Sequence, residues 1–297
     1  MVGVPLRLRL PSPLVELCDE RLAVARVRVF LKRDDLIHPE LTGNKWRKLK
    51  YNLEAAKEYR ASRLLTFGGA YSNHIRAVAA AGHYFGFDTI GVIRGEEHRP
   101  LNPSLQYAVD RGMRLTYLDR STYRAKNDPA VIELLRERFG DFYLIPEGGS
   151  NALALSGCAE LVEEIEVDFD VICCACGTGG TLAGIASALD DRQTAIGFSV
   201  LKGGDFLRHD VAELQRAAFD KKTSNWAIET GYHFGGFAKS NVELNRFIDD
   251  FQQRHGLRLD WVYVAKMMYG LFDVMANGRF RPGTTIVAVI TGQDFGS

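Results

Sequence analysis

Lys45 is the first residue in this sequence with a plausible chemical role. It lies in KRDDLIHPELTGNKWRKLKYNL, residues 32–53. Thr42-Gly43-Asn44 reads as a turn and cap opening a helix whose buried face is marked by Trp46, Leu49 and Leu53. That places Lys45 in the first turn, where the unpaired N–H groups and the positive end of the dipole disfavour a further positive charge. A neutral amine is what condensation with a carbonyl compound requires. A helical lysine is ordinarily a solvated surface group, and Lys48 and Lys50 stand nearby, so this spacing alone leaves both readings open.

Two further segments pair glycine with hydrogen-bonding side chains. In FGGAYSNHIRAVAAAG, 67–82, an apolar run enters Gly68-Gly69, and Ser72, Asn73 and His74 then open an alanine-rich helix. Its first N–H groups could receive a carboxylate. The competing reading is ordinary N-capping by Ser72 and Asn73, with His74 an exposed or half-buried imidazole. In VICCACGTGGTLAGIASAL, 171–189, a buried strand runs through Gly177, Thr178, Gly179, Gly180 and Thr181 into a segment of helical period. Such a loop offers backbone N–H groups and hydroxyls to a phosphate, or is simply a tight connection. It is not a Walker loop, and Leu182 occupies the last glycine position of G-x-G-x-x-G, so a nucleotide is not indicated.

The elements that must position these residues alternate along the chain. Strand-like runs occur at 64–67, 89–93, 114–118 and 142–145, then at 170–176, 195–201 and 284–290. Segments of helical period such as VELNRFIDDF separate them, which predicts parallel α/β architecture. No linker or short repeat divides the chain. The rhythm predicts a smaller α/β domain at 47–155 and a larger, discontinuous domain from 1–46 plus 156–297, with a ligand in the cleft.

Composition narrows the function. The chain has 297 residues, is 46% hydrophobic, and balances 37 basic against 37 acidic residues. Nothing in that balance draws it to nucleic acid or anionic lipid, and a small-molecule substrate is the better expectation. With neither a long apolar run nor a signal-like start, a cytoplasmic location is expected. The five cysteines include Cys173 and Cys176 in a C-x-x-C. No second ligand pair accompanies them, so they are expected as reduced thiols packed in a strand, with no metal site.

Taken together, GNKWRKL, GGAYSNH, PEGGSN, CGTGGTLAG, YHFGGFAK and KMMYGLFD resemble the family of 1-aminocyclopropane-1-carboxylate deaminases and D-cysteine desulfhydrases over nearly the whole chain. The resemblance implies the tryptophan-synthase β-type fold (fold type II) of pyridoxal-phosphate enzymes, with two open α/β domains, and a homodimer. It implies pyridoxal 5'-phosphate as cofactor, held by Lys45 as a Schiff base, with Asn73 on the ring's phenolic oxygen and Ser72 at the substrate carboxylate. The phosphate loop falls on Gly177 to Thr181. Tyr263, in LDWVYVAK, matches the tyrosine of the family's D-P-V-Y-[ET]-G-K segment as an acid–base or positioning group, against a reading as aromatic core.

The same comparison exposes departures. Trp261, Val264 and Ala265 stand where the family has proline, glutamate or threonine, and glycine; Ile290 and Gln293 stand where it tends to histidine and glycine. Thr291 is the hydroxyl available to the cofactor ring in that last segment. Valine at 264 cannot hold the pyridine nitrogen protonated, as a carboxylate would. The expected reaction is therefore β-elimination from a small, D-cysteine-like amino acid, giving a 2-oxo acid and ammonia. The alternatives are opening of 1-aminocyclopropane-1-carboxylate and a non-catalytic binding descendant.

Overall fold

The computed structural model describes residues 6–41, 43–220 and 222–292. Its internal contacts divide it into two compact units. Residues 48–150, with residues 6 and 7, form one, and residues 8–47 with 151–292 form the other.

The larger unit holds a six-stranded sheet of β1 (Leu14–Glu16), β2 (Arg28–Lys32), β7 (Val171–Cys176), β8 (Thr194–Ser199), β9 (Trp226–Glu229) and β10 (Thr285–Val289). Its order is β1-β2-β10-β7-β8-β9, and all pairings are parallel except β1 with β2. Strands of such a sheet are covered on both faces and so read as unbroken apolar runs. One face sets Val29, Leu31, Cys173, Phe198 and Ile286 against Met267, Met268 and Leu271 of the helix Val264–Ala276. The other sets Phe30, Ile172, Cys174, Cys176 and Val287 against Leu182 and Ile185 of the helix Gly180–Ala188. Each such side chain, fully buried, contributes about 1.5–3 kcal/mol.

Cys173 and Cys176 thus point to opposite faces of the sheet, as residues three apart on a strand must. They cannot jointly bind a metal or form a redox pair. Burial pushes the Cys173 thiol well above its usual range, and no described group of histidine, cysteine and acidic side chains could hold a metal.

The smaller unit carries β3 (Arg63–Gly68), β4 (Asp88–Arg94), β5 (Met113–Leu118) and β6 (Tyr143–Ile145), ordered β5-β4-β3-β6 and parallel throughout. Leu65, Phe67, Ile90 and Val92 pack one face against Leu135 and Phe139 of the helix Pro129–Phe139. No described helix is long and apolar enough to cross a membrane.

Both sheets reverse their winding order. Successive strands run outward from β7 through β8 to β9, and β10 returns on the opposite side of β7. In the smaller sheet β3, β4 and β5 run one way and β6 returns beside β3. Loops at the carboxyl ends of strands flanking such a reversal are the usual ligand-binding positions of open α/β sheets. Here they are 177–180 and 290–292 in the larger unit, and 69–72 and 146–150 in the smaller.

Candidate active site

In the larger unit the reversal between β7 and β10 gathers several of the residues singled out in the sequence. Gly179, with φ +77°, is the N-cap of the helix Gly180–Ala188 and supplies no capping side chain. Most other helices of the chain are capped by Asp, Asn or Ser side chains. The first N–H groups of this helix have no helical acceptor and no side-chain cap. A Cβ on Gly179 would come within 2.7 Å of Val211 Cγ2, and one on Gly177 within 3.1 Å of the Tyr263 ring. Thr178 is half-buried and Thr181 is buried.

Lys45 is the second residue of the helix Asn44–Glu58, half-buried in its first turn. Asn44 Nδ2 donates to Thr181 Oγ1 at 2.7 Å, fastening the start of the lysine's helix to the glycine loop. Gly43 precedes it at φ +61°, and a Cβ there would lie 1.6 Å from the backbone oxygen of Thr291, so only glycine fits. Leu49 and Leu53 are buried and Trp46 half-buried. Thr42 and Gln293 lie outside the described residues.

Arg47, two residues beyond Lys45, is 1% exposed. Its guanidinium donates through Nε and Nη2 to Asp34 at 2.7 and 2.8 Å, and through Nη1 and Nη2 to Glu164 at 2.8 and 2.9 Å. Lys32 Nζ adds a bond to Glu164 at 2.9 Å. Burial alone would raise the Glu164 carboxyl, but Arg47 and Lys32 outweigh it and hold it at about 2. The backbone of Arg47 rests on Gly157, where a Cβ would meet Arg47 O at 2.0 Å.

Tyr263 is the N-cap residue of the helix Val264–Ala276. Asp260, 6% exposed, holds that turn by accepting the N–H groups of Val262 at 3.2 Å, Tyr263 at 2.9 Å and Val264 at 3.4 Å. Val264 is fully buried in the apolar cluster, so this position supplies no carboxylate. The Tyr263 ring also meets Phe237 edge-on at 5.9 Å. Phe237 lies on a loop where Phe234 and Ala238 both take positive φ. Lys266 Nζ pins that loop from beneath, donating to the carbonyls of His233 at 2.9 Å and Gly236 at 2.7 Å.

Burial lowers the Lys266 ammonium to about 8, against the opposing pull of Asp260. An ordinary unfolded lysine titrates near 10.4, so between these values the unfolded chain binds the extra proton and stability rises with pH. Lys266→Met is expected to abolish that rise, measured as the difference in denaturation midpoint between variant and parent from pH 7.5 to 10.5. An identical slope in both would refute the assignment.

Ser72 and Asn73 belong to the smaller unit, beside the reversal between β3 and β6. Ser72 caps the helix Asn73–Phe85, its hydroxyl accepting from the Ile75 N–H at 3.4 Å, and Asn73 is half-buried. His74 is 2% exposed, more deeply buried than an exposed or half-buried imidazole. Its Nε2 lies 2.8 Å from Thr66 Oγ1, which donates to the Ile145 carbonyl at 2.8 Å, so the Nε2–H form is the one that fits. The next loop packs on this ring: a Cβ on Gly149 would meet His74 Cε1 at 3.0 Å. Lys48 is buried as well, donating to Gly148 O and Ser150 Oγ, each at 3.0 Å.

A half-buried lysine, an uncapped helix start preceded by glycines, and a tyrosine ring packed against that glycine loop from another helix, all beside a sheet reversal, suit a phosphorylated carbonyl cofactor. Residues 7–292 match the model of the pyridoxal-phosphate-dependent enzyme family, and the chain belongs to that family. It is 33% identical to a Pyrococcus furiosus protein provisionally named 1-aminocyclopropane-1-carboxylate deaminase, covering 89% of this chain and 84% of the relative. It is 30% identical to the Arabidopsis thaliana bifunctional D-cysteine desulfhydrase/1-aminocyclopropane-1-carboxylate deaminase, over 89% and 72% of the two chains. A crystal structure of an ACC deaminase homologue superposes with a TM-score of 0.84 at 29% identity, covering 98% of this chain and 91% of the other.

The residues fit this cofactor. The uncapped amides after Gly179 suit its phosphate, and Lys45 carries an amine in the first turn of a helix fastened to that loop. Gly179→Ala is expected to place alanine at a left-handed φ costing about 1–2 kcal/mol and to push it into Val211. Cofactor affinity should fall at least tenfold, read by fluorescence titration of the stripped protein.

Proposed function

We propose that the protein breaks down a small amino acid by β-elimination, with a D-cysteine-like compound as substrate, expelling the β-substituent as sulfide and yielding, with water, a 2-oxo acid and ammonia. The observation that carries this reading is the Asn44–Thr181 hydrogen bond, which fastens Lys45's helix to the glycine loop. When bound, pyridoxal phosphate supplies an electron sink for negative charge at the substrate α-carbon. Lys45 would hold the cofactor through its amine and would take the substrate's α-proton. Gly177, Thr178, Gly179, Gly180 and Thr181 receive the phosphate. Asn73 donates to the ring's phenolic oxygen, Ser72 to the substrate carboxylate, and Tyr263 moves or positions a proton on the substrate. Thr291 would offer a hydroxyl to the cofactor ring.

The buried Val264 favours elimination, in which an α-proton is available, over ring opening of 1-aminocyclopropane-1-carboxylate, which has none. The names of the relatives support both substrates. Sulfide released from D-cysteine, with no 2-oxobutanoate from 1-aminocyclopropane-1-carboxylate, is the expected result, and the reverse pattern would reject this choice. A cytoplasmic homodimer completes the proposal.

A further inference from the structure

The carboxyl edge of the smaller sheet carries a feature that the reaction above does not use. A cavity of about 460 Å³ is lined by Arg94, Arg120, Tyr123, Arg124, Lys126 and Glu147. Arg94 ends β4, Arg120 and Arg124 lie on the short helix after β5, and Glu147 follows β6. Of the cations, Lys126 is satisfied by Glu147 at 3.1 Å, and the same carboxylate accepts the Tyr123 hydroxyl at 2.9 Å. Asp119, next in the chain to Arg120, is occupied in capping Ser121 and Thr122. No described carboxylate lies within ion-pair distance of Arg94, Arg120 or Arg124. Three like charges around one concavity repel one another and focus a positive potential into it.

The same three arginines line a second cavity of about 1060 Å³, together with Glu96, Asp119, and Ala70 and Tyr71 of the loop that ends at Ser72. A Cβ on Gly69 of that loop would lie 3.9 Å from Arg94 Nη2. Tyr117, also lining this cavity, has a buried hydroxyl with no hydrogen-bond partner among the described residues. A polar atom left so is one that a ligand or water would satisfy.

We propose that Arg94, Arg120 and Arg124 form a subsite for a second acidic group of the substrate, a phosphate, sulfate or carboxylate at the end of the amino acid's side chain. This rests on the reading that Ser72 receives the substrate's own carboxylate. Guanidinium groups bind such oxyanions in paired, planar hydrogen bonds. The arrangement therefore selects a doubly anionic amino acid over a neutral one.

The test uses pyridoxal-phosphate-loaded protein, whose glycine loop is filled, and the double variant Arg94→Gln/Arg120→Gln. Both positions are exposed, so the variant is expected to fold. Inorganic phosphate, titrated calorimetrically, is expected to bind the parent saturably and the variant at least tenfold more weakly, since even one of the two lost charge-assisted contacts is worth about that much. With both enantiomers of O-phosphoserine and of β-chloroalanine as substrates, the variant's kcat/KM should fall about tenfold more on O-phosphoserine, mainly through KM. Equal losses on the two substrates, or phosphate binding indifferent to the variant, would overturn the subsite. Variant-sensitive phosphate binding with no substrate preference would mark a site for free anions and overturn its assignment to substrate. A parent protein inert toward every amino acid overturns the proposed function and this assignment with it; its phosphate titration then separates that failure from failure of the arginine site.

Discussion

Lys45→Ala is expected to remove turnover and the cofactor linkage together. A positioned proton-transfer group contributes roughly 10²–10⁴-fold, and Lys45 is proposed to serve both as that group and as the cofactor's attachment. The loss on substitution should therefore reach at least the upper part of that range. The half-buried amine in the first turn of the helix Asn44–Glu58 is not part of the apolar core, so the variant should remain folded. Borohydride reduction of the loaded parent should leave a pyridoxyl group on the peptide containing Lys45, and the variant should show no such adduct. An adduct on Lys48 or Lys50 instead would move the site. Residual activity near that of the parent would remove Lys45 from the reaction.

Arg47→Met is expected to destabilise the larger unit by about 3–5 kcal/mol, the usual cost of stripping one partner from a buried ion pair. The size of the effect comes from what is left behind. Asp34 is fully buried, with the guanidinium as its bidentate partner, and would keep only the Ser12 hydroxyl; Glu164 would keep Lys32 and the Ser12 N–H. Methionine matches the volume of the arginine stem, so the loss reports the charges and not a cavity. Chemical denaturation should show the fall in midpoint.

A pH signature should accompany it. The Glu164 carboxyl is depressed to about 2 when folded, so its contribution is complete above its ordinary unfolded value and is lost as pH falls toward 2. The parent should therefore lose stability between about pH 4.3 and 2 more steeply than the variant. Equal slopes would mean that Arg47 does not hold Glu164. Because Arg47 follows Lys45 by two residues, Arg47→Lys, which keeps the charge without the planar fork, is expected to lower kcat more than it lowers cofactor binding.

The strand runs at 64–67, 89–93 and 170–176 were legible because a strand covered on both faces must be apolar along its length. The loop from Gly177 to Thr181 was legible for a related reason: a strand entering a helix through glycines is a local arrangement, written in consecutive residues. β1, β2 and β9 were not read, since short edge strands and a strand mixing Arg28 and Lys32 with apolar residues lack that pattern.

What the sequence by itself determined was therefore the set of local pieces: glycine turns, helix starts and the lysine that opens one of them. Their assembly depended on contacts between residues far apart in the chain. Lys32, Arg47, Lys48 and Lys266 look like solvated charges in sequence, yet each is buried. Their partners are Glu164 for Lys32, Asp34 and Glu164 for Arg47, Gly148 and Ser150 for Lys48, and two loop carbonyls for Lys266. Asn44 could be read only as a cap, because Thr181 lies 137 positions away. Burial of a charge is decided by whether folding brings a partner to it, and that is a property of the tertiary structure, not of the residue.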